Sequence, residues 1–132
     1  MSDPVSNKAQ GMGEDKAYSL IAAERLRQIS EEGWTPEHDD AHDDGSLLLA
    51  GIVYLHHGTD LATANREDGV PRGWPWDTVW WKPRSRAKNL IRAGALCIAE
   101  QDRCVRANLP TEAADRELRL CVVALSMLPE AA

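Results

Sequence analysis

The stretch E-D-K-A-Y-S-L-I-A-A-E-R-L-R-Q-I-S-E-E-G-W, Glu14 to Trp34, carries Tyr18, Ile21, Ala22, Leu26 and Ile29 at intervals of three and four. That spacing lays an apolar stripe along an α-helix. Acids open it, and Gly33 stands where a left-handed residue closes a helix. A helix over 14–32 is therefore expected, with Glu24, Arg27, Gln28 and Glu31 on a polar face and Arg27 paired to Glu31 one turn on. The next segment, Trp34 to Gly45, holds Pro36 and the acids Glu37, Asp39, Asp40, Asp43 and Asp44 with no apolar period, and reads as a loop.

Working outward, Ser46 is placed to cap a second helix, Leu47 to about Leu55, that stops at Gly58 and is apolar on most faces, so it is expected to be the buried central helix. Residues 59–84 hold Gly69, Pro71, Gly73, Pro75 and Pro83 and read as irregular. A run of that length inside a small domain points to a binding loop or lid. Ser85 then caps a third helix from Arg86 to about Asn108, where Ala93-Gly94-Ala95 permits close helix approach. Thr111 caps a fourth, to about Met127, with Leu118, Cys121, Val122, Leu125 and Leu128 as its stripe. Residues 1–13 offer too little apolar surface to offset the cost of ordering and are expected to form a disordered tail. The fold class is all-α: one domain over 14–132, a compact bundle of about four helices with a long tryptophan-rich loop between helices two and three.

A formal charge of -6 over 132 residues argues against general nucleic-acid binding, which needs clustered cations. Three cysteines, odd in number and without C-x-x-C spacing, argue against a disulfide framework and suit a reducing cytoplasm. No apolar run reaches membrane-span length, so a soluble, cytoplasmic protein is expected.

Five tryptophans and no phenylalanine are an unusual core-building choice, because each buried indole N–H needs a partner. The tryptophans all fall in loop segments, where they either anchor the ends of the bundle or present ring faces. Trp34 with Trp80 or Trp81 is read as a stacking pair for a base. Lys82, Arg84, Arg86 and Lys88, near the start of helix three, and Arg25 and Arg27 on helix one are the candidate phosphate ligands. Asp39, Asp40 and His42 are read as shaping a ribose pocket. His38 and His42 would align toward a metal only if their segment were helical, which Pro36 and the acid density argue against, so no metal site is expected. No Ser-His-Asp or Cys-His set and no glycine-rich phosphate loop is present, and no catalytic residue is assigned.

The motifs E-R-x-R-Q-x-x-x-E-G-W-T-P-E-H-D-D-x-H, P-W-D-x-x-W-W-K-P and L-I-R-A-G-A-L-x-I-A-E, over roughly residues 23–103, closely resemble a family of small proteins encoded by phages and prophages. More remotely, Glu32, Gly33, Trp34, Asp39, Asp40, His42, Trp81, Lys82 and Pro83 are similar to the pattern of the ryanodine-receptor repeat, although Asp43 follows His42 where the repeat has proline. That resemblance implies a small helical domain whose tryptophan-lined surface holds an adenine nucleotide. A weaker likeness, to MazG-like dATP/dGTP diphosphohydrolases, implies magnesium held by paired E-x-x-E and E-x-x-D helices. Here helix one lacks E-x-x-E and helix two has no acid. The expectation is thus a cofactor-free, non-catalytic binder of a nucleotide-derived small molecule. It would bind through Arg27, Trp34, Asp39, Asp40, His42, Trp80, Trp81, Lys82 and Arg84, act as a sponge for a host immune signal, and have helix four available for homo-oligomer packing. The alternatives are a magnesium-dependent pyrophosphohydrolase and a protein-interaction module anchored by the tryptophan loop.

Overall fold

The computed structural model describes residues 11–58 and 66–129, and among them there are five α-helices and no strand. They are α1 (Glu14–Glu32), α2 (Pro36–Asp40), α3 (Ser46–Gly58), α4 (Arg86–Arg106) and α5 (Glu112–Ser126), with a 3-10 turn at Thr78–Trp80. The expected disordered tail falls largely on residues 1–10, outside the described residues. Residues 11–13 are packed: Met12 N–H donates to the Leu128 carbonyl at 2.8 Å and Gly13 N–H to that of Ser126 at 3.1 Å.

α4 is the hub, because it packs against α1, α2, α3 and α5, most extensively against α3. The expectation that α3 is the central helix gives way to this arrangement. α3 is largely buried, with α4 its main helical neighbour and Trp74 and Trp81 packed on its Tyr54. Two glycines let α1 and α3 approach α4 closely. A Cβ at Gly94 would lie 2.6 Å from Ile21 Cδ1 of α1, and one at Gly51 would lie 3.1 Å from the Ala93 carbonyl oxygen. The small-residue run read from the sequence thus seats α1 and α3 against α4. Its outer helix, α5, closes the core with Leu118, Cys121, Val122 and Leu125.

α1 has the expected bounds, closed by Gly33 at φ 74°, which turns the chain so that the Trp34 N–H donates to the Gln28 carbonyl at 3.0 Å. Its buried face differs from the apolar stripe. Ala17, Ile21, Arg25 and Gln28 are buried, whereas Tyr18 and Leu26 are 49% and 67% exposed. Two polar side chains turn inward because they serve partners and a crevice described below.

The loop reading of 34–45 is corrected by α2. Thr35 is its N-cap, with Oγ1 accepting from His38 N–H at 3.3 Å, and Pro36 occupies the first turn. Proline is compatible with that position because its missing N–H would be unpaired there in any case, and the acids suit the positive end of the helix dipole. Ser46 opens α3 rather than preceding it. Leu49 N–H donates to Gly45 O, the Asp44 carboxylate accepts the Ser46 N–H at 3.0 Å, and Ser46 Oγ meets His42 Nδ1 at 3.2 Å. At the far end, α4 stops two residues earlier than expected, because Asn108 turns left-handed at φ 58° and lets Leu109 N–H close on the Cys104 carbonyl.

Candidate functional site

The described part of the tryptophan-rich segment, residues 66–84, is irregular yet held by specific bonds. The Asp77 carbonyl accepts from both the Trp74 indole (3.1 Å) and the Trp80 amide (3.0 Å), while its carboxylate caps the 3-10 turn through Val79 N–H. Lys82 is anchored at both backbone groups: its N–H donates to Tyr54 Oη at 3.1 Å, and its carbonyl accepts from the Arg92 guanidinium. Buried Asn89 clamps Arg84 by accepting its N–H at 2.7 Å and donating to its carbonyl at 3.1 Å. The prolines deny the segment a regular ladder, and these side-chain bonds replace it.

The rings form a chain across one end of the bundle. Trp81 packs on Tyr54 (centroids 4.7 Å apart) and on Trp74 (5.0 Å), Trp74 meets Trp76 edge-on at 5.5 Å, and Trp76 meets Trp34 at 6.2 Å. His38 lies parallel to Trp34 at 6.0 Å, and His42 lies 4.9 Å from His38 and 5.2 Å from Trp76. The turn beyond α2, with His42 N–H on the Asp39 carbonyl, is what aligns the two imidazoles. Trp34, His38, His42, Trp76, Asp77 and Trp80 enclose an open cleft of about 290 Å³. Adjoining it is a crevice of about 20 Å³ that shares Trp34, Trp76 and Trp80 as walls and is also lined by Gln28 of α1 and Leu96 of α4.

Of the residues read as a site, Trp34, His42 and Trp80 come together around the cleft, and Arg27 and Lys82 border the crevice. Lys82 Nζ lies 5.4 Å from the Trp80 ring centroid. Arg27 is heavily engaged: Glu24 grips it through two bonds of 2.7 and 2.8 Å, Glu32 lies at 2.9 Å and Glu31 at 3.5 Å. The bonds to Glu24, and after them that to Glu32, push its guanidinium pKa further upward. Trp81 lies at the opposite end of the ring chain from Trp34, half-buried among Tyr54, Trp74 and His57. Asp39 is fully buried in an ion pair with Arg25, whose other terminal nitrogen donates to the Trp34 carbonyl at 3.3 Å. Asp40 pairs with Arg106 of α4 at 2.8 Å, which raises the Arg106 pKa. Arg84 is exposed and borders neither cavity.

Residues outside that reading also line these cavities. Trp76 joins the two cavities, and its buried Nε1 has no hydrogen-bond partner; neither has Oε1 of Gln28, which is 2% exposed. Arg92 borders the crevice and, with Lys88, a further groove of about 390 Å³ between α1 and α4. The sequence did hold a signal for Gln28. It falls on the buried side of α1, four plus three residues beyond Ile21, where an apolar side chain would be expected.

Among the described residues no group of three or more His, Cys, Asp or Glu is placed to hold a metal ion, and no helix is long and apolar enough to cross a membrane. Compared with protein-family models, curated proteins and solved structures, the chain shows no significant match to any of them.

Proposed function

We propose that the protein binds a small molecule carrying a planar nitrogen heterocycle and phosphate, a nucleotide derivative, and holds it without turnover. The observation that carries this reading is the open cleft of about 290 Å³ between Trp34, Trp76 and Trp80. Indole surfaces kept partly exposed, when the same segment buries Trp74 on Tyr54, have the form of a stacking site. A base on such a surface gains roughly 1–3 kcal/mol. Phosphate would extend past Lys82 toward the groove bordered by Lys88 and Arg92, since Arg27 is already surrounded by three glutamates. His42 takes the ribose side of the cleft, while Asp39 and Asp40 act by fixing α2 in place.

Retention without turnover is supported by the disposition of the nearby carboxylates. Glu24, Glu31 and Glu32 are each paired to Arg27, Asp39 to Arg25 and Asp40 to Arg106, so each of the five is already engaged by a cation that opposes its holding a metal ion. With the resemblance to phage-encoded proteins, the role proposed is sequestration of a host signal nucleotide in the cytoplasm. A second reading has one observation behind it: Val79 and Trp80 stand side by side, 65% and 51% exposed, as a hydrophobic anchor for a protein partner would.

The test is to incubate the purified protein with dNTPs and magnesium, ADP-ribose isomers and cyclic oligonucleotides. After washing and heat denaturation, whatever is released is identified by mass spectrometry. Recovery of one intact ligand in near-stoichiometric amount is expected. Conversion of a triphosphate to monophosphate and pyrophosphate would instead make the protein a hydrolase. Failure to retain any nucleotide would leave the partner-anchor reading in its place.

A further inference from the structure

Two residues that line the crevice adjoining the aromatic cleft each carry a buried polar atom, and the chemistry of the two atoms is complementary. Gln28 Oε1 is an acceptor and Trp76 Nε1 a donor, both are buried, and neither has a partner within the protein. Leaving such atoms unpaired costs free energy, so their placement beside a ligand-sized cleft calls for an occupant that pairs them. At about 20 Å³ the crevice has room for a group the size of a water molecule, not for a ring. A heterocycle must therefore stay between Trp34, Trp76 and Trp80 and send only one edge inward.

We infer that Gln28 and Trp76 are the specificity-determining residues of the cleft and select a base whose edge carries an exocyclic amino group beside an unprotonated ring nitrogen. The inference rests on the proposed function. The amino group enters the crevice and donates one N–H to Gln28 Oε1, while the ring nitrogen accepts from the Trp76 indole. An oxo-substituted base presents the reverse pattern: a carbonyl faces Gln28 Oε1, lone pair to lone pair, and a ring N–H faces the Trp76 N–H. The stacking faces tolerate any base, so discrimination falls to these two atoms.

Isothermal titration of the full chain with adenosine, inosine, cytidine and uridine 5′-monophosphates reads this directly. The amino members of each pair, adenosine over inosine and cytidine over uridine, are expected to bind roughly ten- to a hundredfold more tightly. Gln28→Leu is expected to bring the pairs close together while retaining stacking affinity. Gln28→Glu keeps an acceptor at the same reach, so it keeps the preference and serves as the check if the leucine variant does not fold. Equal affinity within each pair in the wild-type chain would overturn the inference, leaving the crevice as a seat for a bridging water, and would leave the proposed function intact. A preference for the oxo bases would overturn it as well, by showing the Gln28 amide turned the other way. Binding of none of the four nucleotides, together with nothing retained from the wider nucleotide panel, would remove the proposed function and this inference with it.

Discussion

Replacing Asp39 with Asn tests the link on which the cleft geometry depends. Asp39 is completely buried and Arg25 only 5% exposed, and their ion pair joins α2 to α1 while the same guanidinium holds the Trp34 carbonyl. Asn keeps the side-chain shape but removes the negative charge, so Arg25 is left as an uncompensated buried cation. Breaking a buried pair from one side costs about 3–5 kcal/mol, whereas an exposed pair is worth at most about 1 kcal/mol. With a denaturant slope of about 2 kcal/mol per molar urea, that cost lowers the unfolding midpoint by roughly 1.5–2.5 M. A domain stable by about 5–15 kcal/mol still folds at the start of the titration unless it lies near the lower limit. The double replacement Arg25→Met with Asp39→Leu removes both charges and is expected to be markedly less destabilised than either single change, because the desolvation cost disappears with the attraction. Equilibrium urea unfolding, followed by tryptophan fluorescence and by circular dichroism, measures Asp39→Asn and the cycle of wild type, Arg25→Met, Asp39→Leu and the double variant. A loss below about 1 kcal/mol for Asp39→Asn, or a double variant as unstable as the two singles added together, would refute the argument that this pair is a buried one-sided liability.

Three further outcomes follow from the packing and the charges. Gly94→Ala is expected to cost about 1–3 kcal/mol by overpacking, despite alanine's better helix propensity, because its Cβ would strike fully buried Ile21; adding Ile21→Val should recover part of the loss in the same unfolding assay. Trp74→Ala removes a 6% exposed ring and should cost about 3–5 kcal/mol, whereas Trp80→Ala, at a 51% exposed position, should leave the unfolding midpoint nearly unchanged while abolishing nucleotide retention. The Asp44 carboxyl is held below its ordinary value of 3.8 by hydrogen bonding from Ser46. Its contribution is therefore present above the unfolded-state pKa and lost as pH falls through the lower folded-state pKa, so the stability difference between the wild type and Asp44→Ala should shrink between about pH 6 and pH 2. A constant difference across that range would show that Ser46 does not depend on the ionised carboxylate.

What the sequence determined by itself was local. Apolar residues recurring every three or four positions, a left-handed glycine at 33 and Ser85 before α4 placed the main helices, because periodicity and capping are properties of neighbours in the chain. α2 was equally legible, since threonine followed by proline and acids is a helix start; the density of charge around Pro36 obscured it. The concentration of tryptophan in loop segments pointed to the ring cluster that the structure shows.

The tertiary structure decided which rings face one another. Trp80 and Trp81 are adjacent in sequence and equivalent by composition, yet the 3-10 turn leaves Trp80 on the cleft and packs Trp81 on Tyr54. It likewise gave Arg25 and Asp39 to each other and surrounded Arg27 with glutamates, while Lys88 and Arg92 line the groove between α1 and α4. The physical reason is common to all of these. Stacking, ion pairing and the burial of Gln28 depend on the separation of side chains brought together from different helices and loops. That separation is fixed only when α1, α3 and α4 close on one another around Gly51 and Gly94.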